Sequence, residues 1–283
     1  MKIINSSLDL GKQLQIYRAA AKSVGFVPTM GALHQGHLSL IQEAVRCNDL
    51  VVVSIFVNPT QFNNSKDLEQ YPKTLERDVL KIKSVTSTDL FVFIPSVEDI
   101  YGTDISSNSF DFGGIEHQME GQFRPGHFDG VGTVVQKLFN TVNPDRAYFG
   151  EKDFQQLQII NRLVHIMGSK ISIVSCPIAR EPNGLAMSSR NARLTTQEKE
   201  HASKLYRTLK TVQHQFGTDD VSYIQEWVNN QFKDDEIISL EYFQISDELT
   251  LKSTQKINTN IKYRAFIAAY IRDVRLIDNI ALN

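Results

Sequence analysis

His34 and His37 are the first side chains in this sequence whose type and spacing could do chemistry. They close the run Pro28-Thr29-Met30-Gly31-Ala32-Leu33-His34-Gln35-Gly36-His37. Two imidazoles separated by Gln35 and Gly36 can donate hydrogen bonds to one phosphate chain, and they can stabilise the charge that builds as pyrophosphate departs. Gly31 and Gly36 let the main chain approach a nucleotide with no side chain in the way. A metal is the other chemistry open to His34 and His37. Zinc would want a third and a fourth ligand, and the sequence offers no H-E-x-x-H pattern and no C-x-x-C pair.

A second constellation is Met187-Ser188-Ser189-Arg190. Two hydroxyls and a guanidinium can clamp phosphate oxygens, the Arg190 fork above all. Alone such a triplet is usually a solvated loop, and its weight comes from its company with H-x-G-H. There is no Walker A run. Gly130-Val131-Gly132 lacks the third glycine and the preceding strand of a dinucleotide fingerprint, so it reads as a helix start.

These residues need elements to hold them. Residues 24–29 read as a strand that ends where the histidine run begins. Leu38, Ile41 and Val45, flanked by Leu40 and Ala44, form one apolar helical face beyond it. Residues 50–57 are a near-continuous β-branched run, as in a strand buried on both faces. A helix is predicted over 74–85, a strand over 90–94, a helix over 131–142, a short strand over 147–149, a helix over 153–167 and a strand over 171–175. This alternation predicts an α/β fold, a Rossmann-like parallel sheet covered on both faces. The texture changes after Cys176. An irregular loop over 178–194 carries Pro182 and Gly184, and Leu205, Leu209, Val212 and Phe216 then share a helical face. A second helix and three strand-like stretches near 240–245, 263–271 and 274–277 complete a smaller α+β domain. The expected boundary gives domains of 1–176 and 177–283.

Composition sets the frame. The chain has 283 residues, 41% hydrophobic and 22% charged, with a net charge of −2. That charge gives no bulk attraction to nucleic acid or to an anionic membrane, so bound phosphate must be met by local donors. No stretch approaches the roughly 18 apolar residues of a membrane span, and residues 1–10 show no secretory signal. The expectation is a cytoplasmic protein with no nucleic-acid or membrane partner, its two cysteines, Cys47 and Cys176, reduced and partly buried.

H-x-G-H followed by an M-S-x-[KR]-like loop is the signature pair of the HIGH-type nucleotidyltransferase superfamily. Residues 28–37, 55–62 (I-F-V-N-P-T-Q-F), 149–157 (F-G-E-K-D-F-Q-Q-L) and 180–194 (R-E-P-N-G-L-A-M-S-S-R-N-A-R-L) narrow it further. With Tyr71-Pro72 and Arg124-Pro125-Gly126-His127-Phe128, they closely resemble the pantoate–β-alanine ligase family over nearly the whole chain. The resemblance implies an ATP-dependent ligase that first converts (R)-pantoate to pantoyl adenylate with release of pyrophosphate. The amine of β-alanine would then displace AMP to give pantothenate. Adenylation makes chemical sense because a carboxylate is a poor acyl donor, and the reactive anhydride must be kept from water.

The resemblance also implies roles. Met30, Gly31, Ala32, Leu33, His34, Gln35, Gly36 and His37 would form the first ATP segment, with His37 either a proton donor or an electrostatic stabiliser. Gly150, Glu151, Lys152 and Asp153 would form the second, Lys152 bringing a point charge to a phosphate. Ala179 would meet adenine through its backbone, and Met187, Ser188, Ser189 and Arg190 would close over the phosphates. Gln61 and Gln156 would hydrogen-bond pantoate, Gln61 also facing β-alanine. Asn58 and Tyr71 would support the substrates, and Arg124 and His127 would either line the acid pocket or make a turn. Mg²⁺ would bridge the phosphates. Asp78 matches the family's acidic position, yet Arg77 stands where some relatives carry a second acid, so the ion could equally arrive on ATP and water. The resemblance further implies a homodimer, with the smaller domain as a lid and ATP in the cleft beneath it. Two rivals stand beside this reading: a nucleotidyltransferase that stops after joining AMP to a phosphate-bearing acceptor, and an idle nucleotide sensor.

Overall fold

The computed structural model describes residues 1–61, 68–69, 71–72, 74–85 and 89–283. Phe62, the last residue of the 55–62 motif, lies outside the described residues. The chain divides into two compact units: Met1–Glu151 with Gln155–Pro177, and Lys152–Phe154 with Ile178–Asn283.

The described strands of the first unit are β1 (Lys2–Ile4), β2 (Val24–Thr29), β3 (Leu50–Ile55), β4 (Leu90–Phe93), β5 (Arg146–Gly150) and β6 (Ser172–Cys176). They form one parallel sheet in the order β1-β4-β3-β2-β5-β6, as the alternation of strands and helices predicts. The run Leu-Val-Val-Val-Ser-Ile takes β3 because every residue of it is buried, and β-branched side chains pack well on both faces of an inner strand. The helix Gln35–Cys47 buries Leu38, Leu40, Ile41 and Ala44 in a core with Val27, Val51, Val53 and Val92. At 20–33 cal/mol per Å², each fully buried side chain of this size contributes about 1.5–3 kcal/mol.

The topology creates the site's location. β2 leads through the helix Gln35–Cys47 to β3 on one side, while β5, its neighbour on the other side, leads to β6. The chain thus leaves β2 and β5 in opposite directions, and the crevice outside their carboxyl ends is a switch point, where open α/β sheets bind ligands.

Two elements escape the sequence pattern. The helix Ser7–Ala19 buries only Leu10 and Leu14, too few for a clear stripe, and β1 is three residues long. The predicted helix 131–142 begins a turn earlier, at His127, because Gly126 takes a left-handed conformation at its start. The predicted helix 153–167 is a helix over Phe154–Ile166, preceded by a 3₁₀ turn, Glu151–Asp153.

In the second unit, β7 (Ile238–Asp247), β8 (Tyr263–Ile271) and β9 (Val274–Ala281) form an antiparallel sheet in that order. The helices Lys204–Gln215 and Val221–Phe232 cover one face, Leu205, Leu209, Val212, Ile224 and Val228 packing on Ile245, Ile267 and Leu276. Among the described residues, no helix is long and apolar enough to cross a membrane.

Candidate active site

The chain turns sharply as it leaves β2. Gly31 and Ala32 have φ of +80° and +50°, and a Cβ on Gly31 would lie 3.2 Å from both Asp78 and Ile55, so glycine fits this turn for two reasons. Asp78, on the helix Leu75–Val85, is 1% exposed. Its Oδ2 accepts the Ala32 N–H at 2.8 Å and the Thr74 hydroxyl at 3.0 Å, while Oδ1 accepts the Leu33 N–H at 2.8 Å. The carboxylate therefore clamps the turn. On the other side, Thr29 Oγ1 accepts the Gly31 N–H and donates to the Ser54 carbonyl.

The two histidines cap the next helix. His34 Nδ1 accepts the Gly36 N–H at 3.1 Å, and His37 Nδ1 accepts the His34 N–H at 3.3 Å, a reciprocal box in which imidazoles replace the usual hydroxyl and carboxylate. The ring centroids lie 4.1 Å apart. An Nδ1 that accepts carries no proton, so each neutral ring holds its proton on Nε2. The cap thereby turns both imidazoles into Nε2–H donors at a helix N-terminus whose dipole already favours an anion.

Gln61 sits on a shelf beside this turn, at the end of the 3₁₀ turn Pro59–Gln61 that follows β3. Its Nε2 donates to Met30 Sδ at 2.9 Å, and its Oε1 accepts from Asn58 Nδ2 at 3.1 Å. Arg124 donates to the Gln61 carbonyl, which His127 Nδ1 also meets at 3.0 Å. Asn58, 1% exposed, is held in turn by the Tyr101 hydroxyl at 2.6 Å and reaches the Gly130 carbonyl. Gly130 is required there, because a Cβ would lie 2.5 Å from the Thr60 carbonyl oxygen. Gln156 is half-buried on the helix Phe154–Ile166, next to Gln155, whose carboxamide bonds residues 115, 118 and 120.

The second unit carries two more of the expected segments. Lys152 Nζ lies 3.8 Å from Asp153, and the Lys152 carbonyl accepts from Asn279 Nδ2 at 2.9 Å. The loop beyond β6 folds on itself: Met187 N–H donates to the Ala179 carbonyl, Arg180 bridges to Ala186, and Gly184 turns the chain with φ of +93°. Ser188 caps the 3₁₀ turn Ser189–Arg193 by accepting the Arg190 N–H. Arg180 anchors this loop with two bonds to Asp278, at 2.6 and 2.9 Å, and one to the Gly184 carbonyl, and it stacks 3.8 Å over the Tyr206 ring. Burial pushes the Asp278 carboxyl up from the usual carboxylate value, and the paired guanidinium opposes that.

A family model described as pantoate-beta-alanine ligase matches residues 2–281. This chain belongs to the pantoate–β-alanine ligase family. It is 52% identical over 282 residues to the pantothenate synthetase of Flavobacterium psychrophilum and 51% identical over 283 residues to that of Christiangramia forsetii, each match spanning 100% of both chains. A solved pantothenate synthetase from Thermus thermophilus superposes with a TM-score of 0.90 at 37% identity, covering 100% of this chain and 99% of that one. A pantoate–β-alanine ligase from Francisella tularensis, complexed with beta-gamma ATP and β-alanine, gives 0.78 at 38% identity, covering 100% and 98%.

Within this family frame, the first unit pairs Met30 with Gln61 and His34 with His37 along one turn. Sequence reasoning offered Asp78 as a magnesium ligand. The structure gives it another task, since both its oxygens are engaged by main-chain N–H groups. The signal was present: an aspartate on the same helical stripe as the buried Ile82 must find donors where it is buried. Arg180 entered only as the first residue of the 180–194 motif, and Asp278 and Asn279 went unremarked, because no local pattern links residues 98 or more positions apart.

Proposed function

We propose that this chain is an ATP-dependent ligase that joins (R)-pantoate to β-alanine through pantoyl adenylate. The observation that carries the reading is the histidine cap, which sets two imidazoles side by side at the switch-point end of β2. In the first step a pantoate carboxylate oxygen attacks the α-phosphorus of ATP and pyrophosphate leaves. His34 and His37 donate to the phosphate chain and stabilise the charge that the leaving group gathers. In this role His37 acts as an electrostatic stabiliser and keeps its proton. Gln61 and Gln156 hold pantoate, since a carboxamide offers both a donor and an acceptor to a hydroxy acid. In the second step the β-alanine amine attacks the acyl carbon and AMP leaves.

The first unit is the nucleotide- and pantoate-binding body, with Gly150 ending β5 and Glu151 following it. In the second unit, Lys152 with Asp153, the backbone at Ala179 and the run Met187, Ser188, Ser189, Arg190 serve the nucleotide. Asp78 does not fit as a metal ligand, so no step is assigned to a protein-held ion, and Mg²⁺ enters with ATP. The nucleotide and β-alanine bound to the Francisella relative support this substrate set.

The test is exchange of labelled pyrophosphate into Mg·ATP. It should require pantoate but not β-alanine, whereas AMP release should require both. Exchange with neither acid would favour the simple nucleotidyltransferase, and ATP binding without AMP release the idle sensor. His37→Gln keeps a hydrogen-bond donor but cannot act as an acid. It should retain more exchange than His37→Ala, and equal loss in the two would return the role to proton donation. The homodimer is checked by sedimentation of the full chain.

A further inference from the structure

We infer that Asp278 and Asn279, consecutive residues of β9, are positioning residues for the nucleotide segments of the second unit; this rests on the function proposed above. Consecutive strand residues point to opposite faces of a sheet, and these two use both faces. Asp278 pairs across β8 with Ile267, on the face that the helices cover, and there it holds Arg180 and hence the loop bearing Ser188, Ser189 and Arg190. Asn279 pairs with Phe266 on the opposite face, where Phe266 and Arg264 meet the Phe154 ring at 5.9 and 3.9 Å. On that face Asn279 Nδ2 donates to the Lys152 carbonyl at 2.9 Å, while its Oδ1 accepts from Arg264 Nη1 at 2.6 Å. The two residues are bonded to each other as well, the Asn279 N–H donating to Asp278 Oδ1 at 2.8 Å.

Asp278 and Asn279 are 4% and 2% exposed. Groups so buried do not touch a nucleotide. Their bonds instead run to the main chain of the segment bearing Lys152 and to the arginine that pins the serine loop. One two-residue stretch thus fixes both phosphate-facing segments to the same sheet. A displacement near 1 Å in such a segment can cost on the order of 100-fold in rate.

The decisive variant is Asn279→Asp. It keeps the shape and the oxygen that Arg264 needs, replaces the N–H donor to the Lys152 carbonyl with an oxygen, and adds a charge that Arg264 meets. Binding of Mg·ATP is measured by calorimetry, KM for ATP by pantoate-dependent pyrophosphate exchange, and the second step by β-alanine aminolysis of supplied pantoyl adenylate. The expected result is weaker ATP binding and a higher KM for ATP, each by about tenfold or more, with aminolysis changed by less than about threefold. Asn279→Ala provides the same test if the aspartate variant does not fold, and Asp278→Asn should shift KM in the same direction. A merely structural role would lower both half-reactions alike, in step with the folded fraction. That outcome, or unchanged ATP binding in folded variants, overturns the inference. If the unaltered enzyme shows no pantoate-dependent exchange, the functional reading fails instead, and direct ATP binding still judges the positioning role.

Discussion

The turn after β2 and the loop after β6 both carry residues suited to phosphate, yet they are held in different ways. The histidine side chains of the first are fixed by their own neighbours, and its backbone by a carboxylate more than forty residues downstream. His34 and His37 cap each other's backbone within three residues, and one buried carboxylate, Asp78, takes two further N–H groups. The second is fixed from far away, by an arginine whose partner lies 98 residues downstream on β9. The histidine cap is set within four residues, whereas the turn that leads into it needs Asp78 in place. A loop tied by a distant ion pair is aimed only once that partner strand is in place.

The sharpest way to break this contrast is Asp78→Ala. It leaves two buried N–H groups without their acceptor, at about 1–3 kcal/mol each. The urea midpoint should fall by the equivalent of about 3 kcal/mol, and exchange activity by more than about 100-fold; near-normal stability would show that the clamp is dispensable. Gly130→Ala drives a Cβ into the Thr60 carbonyl and should cost about 2 kcal/mol, with KM for pantoate raised more than KM for ATP because Gln61 moves. Arg180→Lys keeps the charge but loses the two-pronged bond and the stack on Tyr206, for about 2 kcal/mol. Its effect should fall on KM for ATP, and a change confined to pantoate would contradict the assignment of the loop.

Asp235 supplies a control in the second unit away from that loop. Burial alone would raise its carboxyl, but the Lys204 ammonium, the N–H groups of Ile238 and Ile237, and His201 together hold it below the usual range. A carboxyl held low contributes stability above its unfolded pKa of about 3.9 and loses it as pH falls further. Asp235→Asn should therefore cost about 1.5 kcal/mol at pH 7, with the gap to the unaltered protein closing below about pH 4 and KM for ATP unchanged. The smallest effect is a reporter. Cys176 packs in the core with Leu33, and burial, then the nearby Glu43, pushes its thiol up to about 11. Alkylation at pH 8 should be slow in the native protein and in Arg180→Lys. In Asp78→Ala it should quicken, because that variant loosens the core under the histidine turn.

Legibility followed the range of the interactions. The β-branched run of β3, the apolar stripe of the helix Gln35–Cys47 and the glycine turn between β2 and that helix are local patterns, and each appears where the sequence places it. The helix Ser7–Ala19 buries too few apolar residues to announce itself. Asp78 was visible as an acid but not as a clamp, since the N–H groups it accepts lie 45 and 46 residues away. The grouping of Lys152–Phe154 with the second unit had no sequence sign, because three residues inside an α/β pattern take their place from contacts with β8 and β9.

By itself, the sequence determined the parallel α/β body, the H-x-G-H and M-S-S-R runs and, through them, the family, because periodicity, turn chemistry and motif spacing are properties of neighbouring residues. Only the tertiary structure decided what Asp78 holds and which distant strand aims Lys152 and the serine loop. Those outcomes depend on buried donors and acceptors finding partners across the chain, and burial has no meaning until the chain has folded.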